Sequence, residues 1–435
     1  MKKLNVCLLN DSFPPAIDGV ANAVTNYAQI ISREHGEAAV VTPFYPDADD
    51  SVYPFPVLRY PSLDTTKLVG YRAGIPFDPE LMEDLERRDF DIIHSHCPIV
   101  STMLARSLRE QINRPVVFTY HTKFDIDIAN AISSKLLQDE AAAILAANIS
   151  ACDEVWTVSR GAGDNLRKLG YAGDWRVMPN GVDFPRGRVE EDKVLAVTEG
   201  FDLPAGMPVF LFVGRMMWYK GIRIILDALN ILQSEGMDFQ MVFVGDGMER
   251  VQIEEYAELK GLSEKCVFTG AFRERDLLKG FYSLADLFLF PSTFDTNGIV
   301  VSEAAASSLA SVLIKGSCAA EEATDGRNAF LIEEEAGSLA KLLLQLGNDK
   351  ELFRKIGEKA MDDLYTSWED SVANAWKRYP VVLENFEYKR PEIIDSRFSE
   401  NLLTAAADLA SGLDLVRKRN ELISSRVDSF LDRWL

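Results

Sequence analysis

Short apolar runs rich in Val, Ile and Phe recur along this chain, each followed by a longer amphipathic stretch. That alternation is the pattern of parallel sheets with crossover helices. In the first half the strand candidates are LNVCLLN, AAVVTPF, DIIHSH, PVVFTYH, EVWTVS and RVMPN; the second half repeats the scheme with PVFLFVG, FQMVFVG, CVFTG, LFLFPS and SVLIKG. A chain of 435 residues exceeds what one hydrophobic core usually supports. The reading is therefore an α/β protein of two doubly wound, Rossmann-like units facing a cleft. Residues 182–207 are polar, Pro- and Gly-containing and weakly periodic, and read as the connection. The expected units are 1–190 and 191–387, followed by a helical extension over 388–435. After Ser367 the pattern is helical, with Trp368, Val372, Trp376 and Tyr379 on one face, and LVRKRNELISSRVDSFLDRWL suits a packing or homo-oligomer helix.

Composition narrows the function. A formal charge of −21 argues against nucleic acid, whose phosphates require a basic face. The start, MKKLNVCLLNDSFPP, has an apolar run of only about six residues before Asn10 and Asp11, which suits a buried strand and not a signal peptide. No window approaches the roughly 18 apolar residues of a membrane span, so a cytoplasmic protein is expected. Peripheral contact with the inner face of a membrane is left open. The five cysteines are scattered without a C-x-x-C pair, as befits free thiols in a reducing compartment. His94-x-His96 would project to one strand face but lacks a third ligand at metal-binding spacing, so no metal is expected. No P-loop motif occurs, and Gly245-Asp246-Gly247 has Arg250 where a dinucleotide fingerprint needs a third Gly.

The stretch FPSTFDTNGIVVSEA carries Asp295 and Glu303 eight positions apart. On a continuous helix they would be separated by about 12 Å. That is wider than the roughly 5–9.5 Å of paired hydrolytic carboxylates, and suits two grips on one long, hydroxyl-rich ligand. The amides of Asn297, Gly298 and Ile299 fall at a helix start, where unsatisfied N–H groups attract phosphate. An ordinary capped helix with a solvated Glu would read the same way. Arg215 and Lys220 follow the PVFLFVG strand, placed to hold a diphosphate. Asp18-Gly19 precedes the first helix, where Gly lets backbone approach a ligand. His121, ending PVVFTYH, reads either as a polar group at the cleft edge or as a satisfied core histidine.

DSFPPAIDGV, DIIHSH, TYHT, GRMMWYKG, VGDG, FTG before a helix and FPSTFDTNGIVVSEA, in this order from residue 3 to about 387, resemble glycosyltransferase family 4. That family comprises retaining enzymes with the GT-B fold. The resemblance implies an N-terminal acceptor-binding unit and a C-terminal nucleotide-sugar unit with a crossing helix. It implies that a hexose moves from a nucleotide-diphosphate sugar, with UDP the expected base, to a hydroxyl acceptor. Arg215 and Lys220 would bind the diphosphate, Glu303 the ribose and Asp295 the hexose. Gly19 and the amides of Asn297, Gly298, Ile299 and Val300 would line phosphate and sugar. Gly270 to Phe272 would flank the base, and His121 would sit beside the hexose. Asp18 and His96 are acceptor-side candidates. The catalytic set would be His121, Asp295, Arg215 and Lys220, without metal or cofactor. Two departures stand out: Asp295 replaces the usual Glu, with Thr296-Asn297 in place of the frequent Pro-Phe or similar pair, and Asp18 stands where a Gly often precedes Gly19. The resulting DTNG looks similar to the form found in bacterial diacylglycerol glucosyltransferases, which points to a glycolipid or cell-envelope acceptor. The alternatives are a nucleotide-sugar epimerase or hydrolase, or a non-catalytic sugar-binding homologue.

Overall fold

In the computed structural model, two all-parallel sheets each reverse their strand order once. It describes residues 3–16, 18–66, 72–75, 78–131, 134–198, 206–272, 274–296 and 298–387. The first sheet comprises β1 (Asn5–Leu9), β2 (Glu37–Pro43), β3 (Val57–Tyr60), β6 (Ile92–Ser95), β7 (Val116–Tyr120), β8 (Glu154–Thr157) and β9 (Arg176–Val177). Its spatial order is β3-β2-β1-β6-β7-β8-β9, and β4 (Ser62–Leu63) with β5 (Ala73–Gly74) form a small antiparallel ribbon. The second sheet comprises β10 (Val209–Val213), β11 (Gln240–Val244), β12 (Cys266–Gly270), β13 (Leu287–Phe290), β14 (Ser311–Ile314) and β15 (Phe330–Ile332), ordered β12-β11-β10-β13-β14-β15. The reversals lie between β1 and β6 and between β10 and β13, the places where such sheets open a crevice at their carboxyl ends.

The central strands are continuous apolar runs because helices cover both faces. Every residue of β7 and β13 is buried. Around the first sheet lie α1 (Gly19–Ile30), α2 (Pro79–Arg87), α3 (Val100–Ile112), α4 (Phe124–Ala131), α5 (Lys135–Ser150) and α6 (Arg160–Lys168). Then come α7 (Glu191–Thr198), α8 (Ile222–Ser234), α9 (Arg250–Leu259), α10 (Arg275–Leu284), α11 (Ile299–Ala306), α12 (Ala336–Leu346), α13 (Lys350–Asp363) and α14 (Trp368–Asn385).

Two features differ from expectation. β3 and β15 were not among the apolar runs: both are edge strands, β3 is interrupted by Arg59, and β15 has three residues. The 182–207 connection is not irregular throughout. Val182 and Phe184 are buried in the second core, and α7 packs on α10, where Val197 lies so close to Gly280 that an added Cβ would sit 2.7 Å away. The extension 388–435, with its expected oligomer helix, lies outside the described residues.

The helix α14 opens at Ser367, whose Oγ accepts from the Asp370 amide at 3.0 Å and donates to the Asp370 carboxylate, a reciprocal cap. It then returns to the first sheet. Trp368, Val372, Ala375, Tyr379 and Val382 join the core formed by Val6, Val24 and Trp156. Arg378 forks onto Glu154, and Tyr379 Oη lies 2.8 Å from His94 Nδ1.

Candidate active site

The loops leaving β10 and β13 flank the second reversal and bring the expected donor residues together. After β10, a one-turn 3₁₀ segment, Trp218–Lys220, leads into Gly221 at φ +78°. A Cβ on Gly221 would run into the Pro291 carbonyl, so the two loops pack backbone to backbone. That approach sets Lys220 Nζ 2.5 Å from Asp295 Oδ1, while Asp295 Oδ2 accepts from Ser292 Oγ at 2.6 Å. The pair is largely withdrawn from water, with the side chains 9% and 21% exposed. Arg215 is exposed, its guanidinium 5.8 Å from the Tyr219 ring centroid, and among the described residues it forms no ion pair.

Gly298 takes the left-handed conformation, φ +58°, and starts α11, leaving the amides of Ile299 and Val300 at the helix N-terminus. Asn297 lies outside the described residues. Because the helix begins at Ile299, Asp295 precedes it, so the separation expected of a continuous helix does not apply. Glu303, one turn in, is buried: Oε1 accepts from Arg275 Nη2 at 2.6 Å and Oε2 from Tyr282 Oη at 2.8 Å. Burial pushes its carboxyl above the ordinary range, and Arg275 opposes that rise. Gly270 ends β12 at φ +82°, and Phe272 packs on Phe281 with ring centroids 5.1 Å apart.

On the first sheet, His121 follows β7 and His96 follows β6. His121 Nε2 and His96 Nδ1 share a hydrogen bond of 2.9 Å, and His121 Nδ1 has no partner among the described residues. Burial lowers the His121 pKa to about 3, so it is neutral near pH 7. His96, an acceptor-side candidate, has its Nε2 without a partner among the described residues. It is 2% exposed and lies between the His94 and His121 rings, tilted against the first and stacked on the second, with centroids 4.1 and 5.2 Å away. Asp18 is the N-cap of α1: Oδ1 accepts from the Val20 and Ala21 amides at 2.8 Å, and Oδ2 takes Ser12 Oγ. Its place is explained without a ligand. Gly19 has open space where a Cβ would point.

The two sheets are joined beside this site by Thr296 and Thr293 of the altered motif and by Lys123, Ser159 and Glu321, whose roles no motif singled out. Thr296 Oγ1 donates to the His121 carbonyl at 2.8 Å, and Ser159 Oγ donates to the Thr296 carbonyl. Lys123 Nζ reaches the Thr293 carbonyl at 3.1 Å. The Glu321 carboxylate accepts from the amides of Arg160 and Gly161, at 2.7 and 2.5 Å, at the N-terminus of α6. Asp295 and His121 are thereby held on facing loops. Arg275, Tyr282 and Asp183 were also missed. The one usable signal was that Arg275 and Tyr282 fall seven apart on one helix, two turns along the same face.

This geometry can be set beside known proteins. Residues 17–186 match the family model described as Glycosyltransferase Family 4, and residues 199–363 match the model described as Glycosyl transferases group 1. An alpha-monoglucosyldiacylglycerol synthase of Acholeplasma laidlawii is 22% identical over 369 residues, covering 82% of this chain and 92% of that protein. A GDP-mannose-dependent alpha-mannosyltransferase of Corynebacterium glutamicum is 25% identical over 339 residues, covering 77% and 78%. The solved structure of Anabaena Alr3699/HepE in complex with UDP and glucose superposes with a TM-score of 0.67 at 18% identity, over 88% of this chain and all of that one. With two parallel sheets, facing loops and models matching both halves, this chain belongs to glycosyltransferase family 4 and is a hexosyltransferase with the GT-B fold.

Proposed function

We propose that this enzyme transfers a hexose, with retention, from a UDP-sugar to a hydroxyl of a glycolipid or cell-envelope glycan. The observation that carries this reading is the meeting of Lys220, Asp295 and the start of α11 at one strand reversal, with Arg215 exposed beside them. Arg215, Lys220 and the Ile299 and Val300 amides would hold the diphosphate and take up charge as it departs. Asp295 would grip the hexose and His121 would sit beside it. Gly19 would border the phosphate, Glu303 would hold the ribose, and the backbone from Gly270 to Phe272 would flank the base.

In this mechanism the acceptor hydroxyl attacks on the face the diphosphate leaves, and a donor phosphate oxygen takes the acceptor proton. His121, kept neutral by burial, offers a hydrogen bond and not a positive charge. The cations and helix terminus do for the leaving group what a metal does elsewhere, so turnover should survive chelation. A diacylglycerol-type acceptor is favoured by the likeness to the glucolipid synthase. Among the described residues no helix is long and apolar enough to cross a membrane, so such an acceptor would be met at a lipid surface.

The test is incubation with UDP-glucose, and in parallel GDP-mannose, in EDTA with diacylglycerol or monoglucosyldiacylglycerol in mixed micelles. The anomeric configuration of any glycolipid is then read by NMR. An α-linked product from the UDP donor supports the reading. An inverted linkage, or an epimer or free sugar formed without acceptor, sinks it.

A further inference from the structure

Glu303 is a carboxylate buried at the heart of the nucleotide half, and it arrives there already partnered. One donor reaches each oxygen: Arg275 Nη2 at 2.6 Å and Tyr282 Oη at 2.8 Å. An ionised carboxylate accepts about four hydrogen bonds, two per oxygen. One acceptor position therefore remains on each oxygen, which matches the two adjacent hydroxyls of a ribose. This holds only while the group is ionised, since a protonated carboxyl turns one acceptor into a donor.

Arg275 is poorly explained as an ordinary helix residue. It opens α10, where the dipole disfavours a cation. Its Nε reaches Asp183 Oδ2 at 3.0 Å, its Nη2 pairs with Asp183 Oδ1, and its guanidinium lies 4.2 Å from the Phe184 ring centroid. Asp183 and Phe184 belong to the connection between the two sheets, so the guanidinium is fixed from one side and presented to Glu303 on the other. Among the described residues the charged or titratable groups bearing on Glu303 are Arg275, Tyr282 and Asp183. Burial holds the Tyr282 phenol well above its usual range, so it remains a donor, and Asp183 is repulsive.

We propose that Arg275 is a positioning residue for the nucleotide, keeping Glu303 ionised and oriented so that its two remaining acceptor positions take the ribose diol. This rests on the reading of Glu303 as the ribose partner. Asp183 and Phe184 hold Arg275 in place, which makes the connection between the sheets part of the donor site. Without the guanidinium, burial of Glu303 is opposed by Tyr282 alone. The carboxyl then protonates at higher pH, and nucleotide affinity is lost on acidification earlier than in the parent enzyme.

The experiment is calorimetry of the full chain with UDP and with GDP at several values between pH 5.5 and 8.5. The proteins are the parent, Arg275→Met, Arg275→Lys, Glu303→Gln and the Arg275→Met/Glu303→Gln double variant. Arg275→Met is expected to weaken nucleotide binding by roughly tenfold or more at neutral pH, with the loss growing as pH falls. Arg275→Lys should restore most of the parent profile. In the Glu303→Gln background Arg275→Met should add nothing, because its target charge is gone. Comparing variants against one ligand cancels the titration of the nucleotide's own phosphate. If Arg275→Met fails to fold, Tyr282→Phe removes the other donor and should also move the acid limb upward. An unchanged pH profile in the variant that folds, or an equal loss with and without Glu303, overturns the positioning role. Failure of the parent to bind either nucleotide overturns the donor-site reading first, and this role with it.

Discussion

Arg215 and Lys220 were read from the sequence as equivalent cations, and the structure separates them. Lys220 is buried against Asp295 at 2.5 Å, whereas Arg215 is exposed. Breaking a buried pair leaves an uncompensated charge and costs about 3–5 kcal/mol; the residual exposure of Asp295 places this pair at the lower end. Lys220→Ala should therefore lower both stability and nucleotide affinity. Arg215→Ala should change stability by no more than about 0.5 kcal/mol, while weakening UDP binding by about 1.5–3 kcal/mol. Urea unfolding and calorimetry check the split, and equal stability losses would refute it. The histidines give a pH signature of their own. Burial lowers the pKa of His94, His96 and His121 below the ordinary value, His121 to about 3. Below about pH 6.5 the unfolded chain takes up protons that the native state refuses. The stability from keeping these rings neutral is thus complete above that pH and falls as pH drops, by up to about 1.4 kcal/mol per unit for each ring. Urea unfolding at pH 7.5, 6.5 and 5.5 should show this, and His94→Gln should remove about a third of the slope. A flat profile would mean the rings are protonated in the fold.

At the scale of elements, what was legible follows from where each element is buried. The central strands show as continuous apolar runs, while β3 and β15 lie at sheet edges and α7 is too short for its weak pattern to show. The site divides the same way. Lys220, Asp295 and Glu303 could be picked out because they follow strands flanking one reversal. Arg275 could not, because its carboxylate partners lie 28 and 92 positions away and meet it only through packing. The start of α11 was legible from its Gly, and it permits a sharp test. Gly298 has φ +58° and an added Cβ would sit 3.0 Å from Ala319, whereas Gly326 has φ +68° with open space around it. Alanine at either should cost roughly 1–2 kcal/mol in the left-handed region. Only Gly298→Ala should also weaken UDP binding, because relieving the Ala319 contact moves the Ile299 and Val300 amides. Equal UDP affinity in the two variants, measured by calorimetry, would detach the helix start from phosphate binding.

At the scale of the whole molecule, the facing loops are joined where the chemistry is proposed. Thr296, one of the residues departing from the family pattern, donates to the His121 carbonyl and accepts from Ser159, so the altered motif ties the donor loop to the first sheet. Glu321 caps α6 across the same gap. The approach depends on Gly161, where a Cβ would run into Cys318 Sγ and crowd Glu321. Gly161→Val should leave each half folded, since the added bulk meets the opposite half and not its own core. It should hold the halves apart. Nucleotide affinity, carried in the proposed site mainly by second-half residues with Gly19 only at the phosphate border, should stay within about twofold, and turnover should fall by roughly tenfold or more because small misplacements of reacting groups are that costly. Small-angle scattering should report a larger radius of gyration. Loss of UDP binding together with turnover would mean that the first half contributes more to the nucleotide site than the Gly19 border. Full turnover would mean that the Gly161 contact belongs to a resting arrangement and that the reacting groups meet without it.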